Sequence, residues 1–351
     1  MRNREEMPAG IRDVAERAGV SVATVSHVLN RTRYVTPQTE QRVLLAIRKL
    51  KYYKNVHAGR LARGSSEFFG LIISDIENPF FPKIIKSFEA EAVKHRFDIL
   101  LCATNYDPDR TQMAVQKMIE NRVRGVAVMT VSVDPAIARE LKKSQIPVVF
   151  LELGLVESYI SNIHINYAKG SSQTIEYLYK LGHRIFAFIS GPRERPSSLM
   201  YERVFAEALQ QLGLPTHQNV VGNNKVEGGI AAVRTLLAQP HFPTAIFCSN
   251  DMTAVGAVVA LEEAGLRVPE DVSVVGTDDI EFARLVRPSL TTIRIPREQL
   301  GKLAFEVLDK MLRSSRRIGR EHVLDTELVV RQSTGSAPTR VGEETATSST
   351  A

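Results

Sequence analysis

Val22, Ala23, Ser26, His27 and Asn30 are the residues near the start of this chain whose types and spacing imply chemistry, and the chemistry is recognition. Val25, Val28 and Leu29 form one apolar stripe. At about 100° per residue the opposite face of such a helix centres on Ala23 and His27, flanked by Ser26 and Asn30, with Val22 at the margin. Hydroxyl, amide, imidazole and methyl groups on a helix face can meet base edges in the major groove of DNA. Ser21 is suited to cap that helix, and Gly19 to turn the chain into it. Upstream, Ile11, Val14, Ala15 and Ala18 repeat at i, i+3, i+4 and i+7, turning Arg12, Glu16 and Arg17 to water. Downstream, Thr36 and Pro37 open a third helix that buries Val43, Ile47 and Leu50. The pattern predicts a compact three-helix unit.

Charge is distributed to match. Residues 1–64 carry 13 Lys and Arg against 5 Asp and Glu, whereas the rest of the chain carries 32 against 34. A basic module on a nearly neutral body is the footprint expected for phosphate contacts, although a solvated basic face gives the same count.

Elsewhere the chemistry-bearing residues do not assemble into a catalyst. Asp278 and Asp279 are adjacent, so on a strand they point apart and do not form an acid–base couple. His183, in Leu-Gly-His-Arg, reads as a helix C-terminal residue. Cys102 and Cys248 lie in apolar runs, read as buried core thiols, and fit a reducing compartment. There is no P-loop, no Gly-x-Gly-x-x-Gly, no Gly-x-Ser-x-Gly and no metal-ligand spacing, so no catalytic residue, cofactor or metal is expected. No apolar h-region follows Met1 and no run reaches membrane length, which points to a cytoplasmic protein.

With 351 residues and 44% hydrophobic composition the chain can build two or three domains. From Phe69 onward short apolar runs alternate with amphipathic stretches. The runs are 69–73, 99–102, 126–129, 147–151, 185–189, 245–248 and 272–276, and the helix candidates are 82–94, 111–121, 136–144, 168–181, 199–212, 228–238, 252–264 and 300–313. Continuous Val/Ile/Leu runs between helices predict parallel sheets covered on both faces, in more units than one small sheet holds. From Gly335 the chain is rich in Ser, Thr, Pro and Glu and is expected to be disordered, without the leucine heptads of a coiled coil.

Several strings in order carry a family resemblance: Ile11 to Asn30, Tyr34-Val-Thr-Pro-Gln-Thr, Gly182-His-Arg, Ser249-Asn-Asp and Val268-Pro-Glu-Asp-Val-Ser-Val-Val-Gly-Thr-Asp-Asp279. Over about residues 10–335 the chain resembles the lactose-repressor/galactose-repressor family of bacterial transcription regulators. The resemblance implies an all-α helix-turn-helix headpiece (9–54), a hinge helix and linker (55–68), and an α/β periplasmic-binding-protein-like core (69–334) of two doubly wound parallel-sheet subdomains. Subdomain one would hold about 69–163 and 294–325, subdomain two about 164–293 and 326–334, with a tail at 335–351. It further implies DNA contacts from Ser21, Val22, Ala23, Thr24, Ser26, His27, Asn30, Thr39, Asn55, Ala58 and Leu61. Leu61 would wedge between base pairs while Arg60 and Arg63 meet phosphates. Lys54 stands where a proline is usual, and Gly59 lies inside the expected hinge helix.

Ligands in such cores sit outside the carboxyl ends of the strands. Carried over by position, the effector-binding candidates are Ser74, Asn78, Phe80, Phe81, Glu152, Tyr201, Asn250 and Asp278, with capping the competing role for Asn250 and Asp278. Asp251 and Asp279 read as caps or surface charges. Tyr201 occupies a place where many members put a sugar-clamping arginine, and Asn224 falls where an aromatic platform is common; Arg193 or Arg195 could compensate. The expected protein is a homodimeric repressor that binds double-stranded DNA at a near-palindromic operator and responds to a small, sugar-like molecule. A regulator that has lost effector response and a solute-binding protein are the alternatives.

Overall fold

The computed structural model describes residues 9–30, 32–52, 67–130, 133–214 and 217–339. The chain divides into two compact units, one up to Ser65 and one from Ser66. Helices α1 (Ile11–Ala18), α2 (Val22–Asn30) and α3 (Pro37–Lys49) make up the first. Val14, Ala15, Ala18, Val25, Val28, Val43 and Ala46 are its buried core, with Ile11, Leu29, Ile47 and Leu50 packed around them. The three expected stripes therefore meet. Gly19 ends α1 at φ 62°, and Val20 N–H returns to the Ala15 carbonyl at 3.0 Å, a turn that a Cβ would strain. Ser21 Oγ then accepts the Thr24 N–H at 3.1 Å and caps α2. Thr36 precedes α3, but its hydroxyl bonds Thr39 Oγ1 at 2.9 Å and makes no cap, so Pro37 alone opens that helix.

The second unit holds two six-stranded sheets. Sheet one uses β1 (Phe68–Ile73), β2 (Asp98–Ala103), β3 (Val126–Met129), β4 (Val148–Leu151), β5 (Ile160–Asn166) and β11 (Glu321–Asp325), in the order β11-β5-β4-β3-β1-β2 with every pair parallel. Sheet two uses β6 (Phe186–Ser190), β7 (Gln218–Val221), β8 (Ala245–Cys248), β9 (Ser273–Asp278), β10 (Thr291–Arg294) and β12 (Glu327–Val329), in the order β12-β10-β9-β8-β6-β7, with only β12 antiparallel. Helices α4 (Phe81–Lys94), α5 (Pro108–Glu120), α6 (Pro135–Lys143) and α11 (Arg297–Arg313) cover the first sheet. Helices α7 (Tyr167–Lys180), α8 (Pro196–Gln211), α9 (Val226–Leu237) and α10 (Asp251–Glu263) cover the second. The chain passes between sheets after β5, after β10 and after β11. We call these halves lobe one and lobe two. No helix among the described residues is long and apolar enough to cross a membrane.

Alternation along the strands explains why the sequence reads as unbroken apolar runs. Phe69, Leu71 and Ile73 face α4 and α11, while Ile72 and the alternate residues Val126 and Val128 face α5 and α6. Five strands lie outside the expected runs: β5, β7, β10, β11 and β12. Helix α5 starts at Pro108, three residues early, because Asp107 accepts the Asp109 and Arg110 N–H groups at 2.8 and 3.1 Å and Pro108 takes the first position. Helices α9 and α10 approach through glycines: a Cβ on Gly229 would meet the Thr253 carbonyl, and one on Gly256 the Val226 carbonyl.

Some expectations are corrected. Sheet one retains the chain through Asn166, beyond 163, and Arg294 ends a strand of sheet two. His183 is fully buried: Nδ1 bonds Thr244 Oγ1 at 3.0 Å, and Nε2 lies 3.0 Å from the Gly335 carbonyl and 3.1 Å from Ser273 Oγ. Its N–H also returns to the Leu178 carbonyl at 3.1 Å, so His183 closes the end of α7 as expected and is a core group as well, with burial lowering its pKa. The Nε2 bond ties down Gly335, and Ala337 N–H donates to the Leu181 carbonyl at 2.8 Å, so the tail is ordered at its start. Cys248 is buried as expected, whereas Cys102 is only half-buried because β2 is an edge strand.

Candidate functional site

On the headpiece, α2 presents Ser21, Val22 and Ala23 to solvent, with Thr24, Ser26 and His27 partly covered. Burying Val25 and Val28 in the three-helix core leaves this face outward. His27 Nδ1 is paired with Thr32 Oγ1 at 2.8 Å, which fixes the ring from the loop after α2. Asn30 is the last residue of α2, and Thr39 sits partly covered on the first turns of α3. Asn55, Ala58 and Leu61, with the expected hinge helix, lie outside the described residues.

In the second unit a cavity of about 100 Å³ opens between the lobes, at the carboxyl ends of both sheets. Ser74, Asn78, Phe80 and Phe81 line it from the segment after β1, and Tyr201, Asn250 and Asp278 from lobe two. Seven of the eight expected effector residues are therefore brought together. Phe80 and Phe81 meet edge to face at 5.2 Å and form an apolar wall. Ser74 Oγ donates to Thr130 Oγ1 at 2.6 Å, and Asn78 Oδ1 accepts the Phe80 N–H at 2.9 Å, so both side chains are fixed. Asn250 caps α10: its Oδ1 accepts the Thr253 N–H and its Nδ2 donates to the Asn224 carbonyl, both at 2.9 Å. Capping and cavity lining are here one position.

Asp278 differs from the others. It ends β9 at φ 113°, is 7% exposed, and receives no hydrogen bond from any described group. Burial first, then the neighbouring Asp251 charge, push its carboxyl well above the usual range, and Arg297 only partly opposes them. Three phenols surround the space. Tyr167 and Tyr201 are hydrogen-bonded to each other with ring centroids 4.5 Å apart, and burial raises the pKa of both and of Tyr106, keeping all three neutral donors. The cation in the lining is Arg195, whose guanidinium lies 3.5 Å from the centroid of the Tyr106 ring. That stack joins a loop of lobe two to a loop of lobe one.

Residues 10–55 match the family model "Bacterial regulatory proteins, lacI family", and residues 175–334 match a periplasmic binding protein-like domain. The HTH-type transcriptional repressor PurR of Pectobacterium carotovorum subsp. carotovorum (strain PC1) is 35% identical over 336 residues, covering 94% of this chain and 98% of that protein. The chain belongs to the lacI family. Among solved structures, the lac repressor dimer bound to operator and the anti-inducer ONPF superposes with a TM-score of 0.82 at 27% identity, over 94% of this chain and all of that one. A complex of the transcriptional regulator CelR with cellobiose gives 0.70 at 27% identity, over 93% of this chain and 99% of that one. The chain is thus a helix-turn-helix transcriptional regulator with a periplasmic-binding-protein-type core, and its relatives are repressors, not enzymes.

Within that family frame the remaining expected residues divide. Glu152 does not line the cavity. Its carboxylate takes the Ile165 N–H and bonds His164 Nδ1 at 2.9 Å, and its own backbone turns at φ 61°, so it fastens the end of β4 to β5. Asp251 and Asp279 are not surface charges. Asp251 is fully buried, accepts from Thr292 Oγ1 at 2.5 Å and from Ile280 N–H at 2.8 Å, and is pushed by burial up to about 7. Asp279 is gripped by Arg294 at 2.7 Å and Arg331 at 2.5 Å, whose hydrogen bonds outweigh its burial and lower its pKa.

Tyr106, Met129, Leu151, Tyr167, Ser197, Ser198 and Ser249 also line the cavity and were not expected from the sequence, whereas Arg195 and Asn224, which line it too, were named there beside the effector set. Most follow or end a strand on the cleft side: Tyr106 after β2, Met129 at the end of β3, Tyr167 after β5, Ser249 after β8. The strand-end rule applied to every strand finds them.

Proposed function

We propose that this chain is a repressor that binds a near-palindromic operator in the bacterial cytoplasm as a homodimer, reading bases with the outer face of α2, and that a small neutral molecule in the cleft switches its operator affinity. The observation that carries this reading is the coexistence, in one lacI-family chain, of an outward helix-turn-helix face and an interlobe cavity into which an unpartnered, buried Asp278 is built. A buried carboxyl without a partner is costly, and a ligand N–H or O–H removes that cost. The ligand is a single polar ring. The cavity is small, about 100 Å³, and its lining offers hydroxyls, amides and aromatic faces around one carboxyl. Among the structural relatives, CelR is seen with cellobiose, and an Enterococcus faecium family member with ribose.

Tyr201 and Asn224 both face the cavity. Arg195, over the Tyr106 ring, is the one guanidinium in a lining otherwise made of hydroxyls, amides, aromatic and apolar groups and the Asp278 carboxyl, which favours neutral sugars or nucleobases over sugar phosphates. A thermal-shift screen of monosaccharides, nucleobases, nucleosides and their phosphates, followed by binding to an operator selected from random duplexes, tests the reading. A neutral single-ring hit that alters operator affinity supports it. A screen in which nothing shifts the melting temperature, or a hit that leaves operator affinity unchanged, removes the effector half.

A further inference from the structure

Arg297 is the first residue of α11, directly after the second passage of the chain between lobes, and it is 7% exposed. Its Nη1 donates to the Pro79 carbonyl at 3.0 Å, and its Nη2 donates to the Asp279 carbonyl. Those acceptors belong to different lobes. Pro79 sits within the Asn78–Phe81 segment that walls the cavity on lobe one, and Asp279 follows the Asp278 that walls it on lobe two.

Each end of this bridge is anchored. On lobe two, the Asp279 carboxylate is held by Arg294 and Arg331, and the Asp279 N–H lies 3.4 Å from Thr292 Oγ1, so its loop is fixed to the sheet. On lobe one, α11 packs against α4 through Gly301, where a Cβ would meet the Ile84 carbonyl, and α4 begins at Phe81. A guanidinium is a rigid planar fork, so its two outer nitrogens can serve two carbonyls at one separation of the lobes and not at others. A lobe rotation that moved Pro79 away from Asp279 would break one of the two bonds and leave a buried cation half-paired. Its distance from ligand matters too: Arg297 does not line the cavity.

We propose that Arg297 is an interlobe strut, a positioning residue that holds the Asn78–Phe81 wall and the Asp278 wall in register across the cleft. The consequence for effector affinity rests on the function proposed above, whereas the strut itself is a property of the free protein. An effector that favours this register is then bound by a cleft already assembled, and one that favours another register must break the strut.

Hydrogen–deuterium exchange on the full-length protein without ligand, with peptides covering 74–81, 279–285 and the central strands β3 and β8, tests the strut. In Arg297→Met, exchange is expected to accelerate about tenfold or more in both wall peptides together, one on each lobe, while β3 and β8 remain protected. Arg297→Lys keeps the charge without the planar fork and is expected to fall between parent and Met variant. Glu298→Gln, next in the chain, is expected to match the parent. If acceleration is confined to the first turn of α11, or appears on one lobe only, Arg297 is a local structural residue and the proposal fails. Should Arg297→Met not fold, the lysine variant carries the same test, with unchanged exchange in both walls as the refuting result. Because no effector is present, failure here leaves the cleft reading standing, and failure of the ligand screen leaves the strut standing.

Discussion

Replacing Asp278 by asparagine is expected to stabilise the empty protein at neutral pH. Burial and the Asp251 charge raise the Asp278 pKa, and no described hydrogen bond compensates. A carboxyl whose folded pKa lies above its unfolded value contributes its full stability below the unfolded pKa, about 3.9, and that stability is lost as pH rises to the folded pKa. A buried polar group left without a hydrogen-bond partner costs about 1–3 kcal/mol, and more when it is charged. Asparagine preserves the volume, does not titrate, and tolerates the positive φ of 113° at this position better than alanine does. The expected gain in Asp278→Asn is on the order of 2 kcal/mol at pH 8, shrinking toward zero near pH 4. For a domain of this size that is a rise of about 4–8 °C in Tm at pH 8. The assay is differential scanning calorimetry of parent and variant from pH 4.5 to 8.5. The same variant should weaken the response to any ligand found in the thermal-shift screen, because its amide keeps one accepting oxygen and puts N–H donors where the carboxyl offered a second. A variant no more stable than the parent at pH 8, or a gain that does not shrink on acidification, would refute the assignment of Asp278 as a strained, unpaired group held for a ligand.

Three further outcomes follow from other parts of the molecule. His27→Arg on the outer face of α2 should shift one base of each half-site toward guanine by about 1–3 kcal/mol, read by selection from random duplexes; an unchanged base profile excludes residue 27 from base reading. Tyr201→Arg should bring a guanidinium beside Asp278, lower the Asp278 pKa and move ligand preference toward sugar phosphates, measured by thermal shift; retention of the parent's neutral-ligand ranking would show that position 201 does not select ligand. Gly256→Ala should destabilise the core by about 1–3 kcal/mol in urea titration despite alanine's better helix propensity, because its Cβ meets the Val226 carbonyl; a stabilised variant would mean that α9 and α10 can separate at no cost.

The outcome at each element depended on whether its partner was local in sequence. In the headpiece, Ile11, Val14, Ala15, Ala18, Val25 and Val28 bury themselves on neighbouring turns, so 3.6-residue periodicity was sufficient to find all three helices and the exposed face of α2. The central strands were legible for a related reason: β1, β3, β4 and β8 are covered on both faces and must be apolar throughout. Strands β5 and β11 were not. Ile160-Ser-Asn-Ile-His-Ile-Asn and Glu321-His-Val-Leu-Asp pair across about 160 residues of chain, and their polar members are tolerated because Asn162 bonds the Leu153 and Gly154 N–H groups and β11 is an edge.

Much of the cleft lining also followed from position, since residues past strand ends converge whenever parallel sheets face each other, and Ser74, Phe81, Asn250 and Asp278 did so. What the sequence could not determine was which of two acidic neighbours does what. Asp251, Asp278 and Asp279 are chemically alike, and Glu152 looks as available as any of them. Only the folded chain places Arg294 and Arg331 on Asp279, Thr292 and Ile280 on Asp251, and Ile165 and His164 on Glu152, and leaves Asp278 facing the cavity. A carboxylate's role is set by the donors within hydrogen-bond reach, and here those donors come from segments 12 to 52 residues away in sequence.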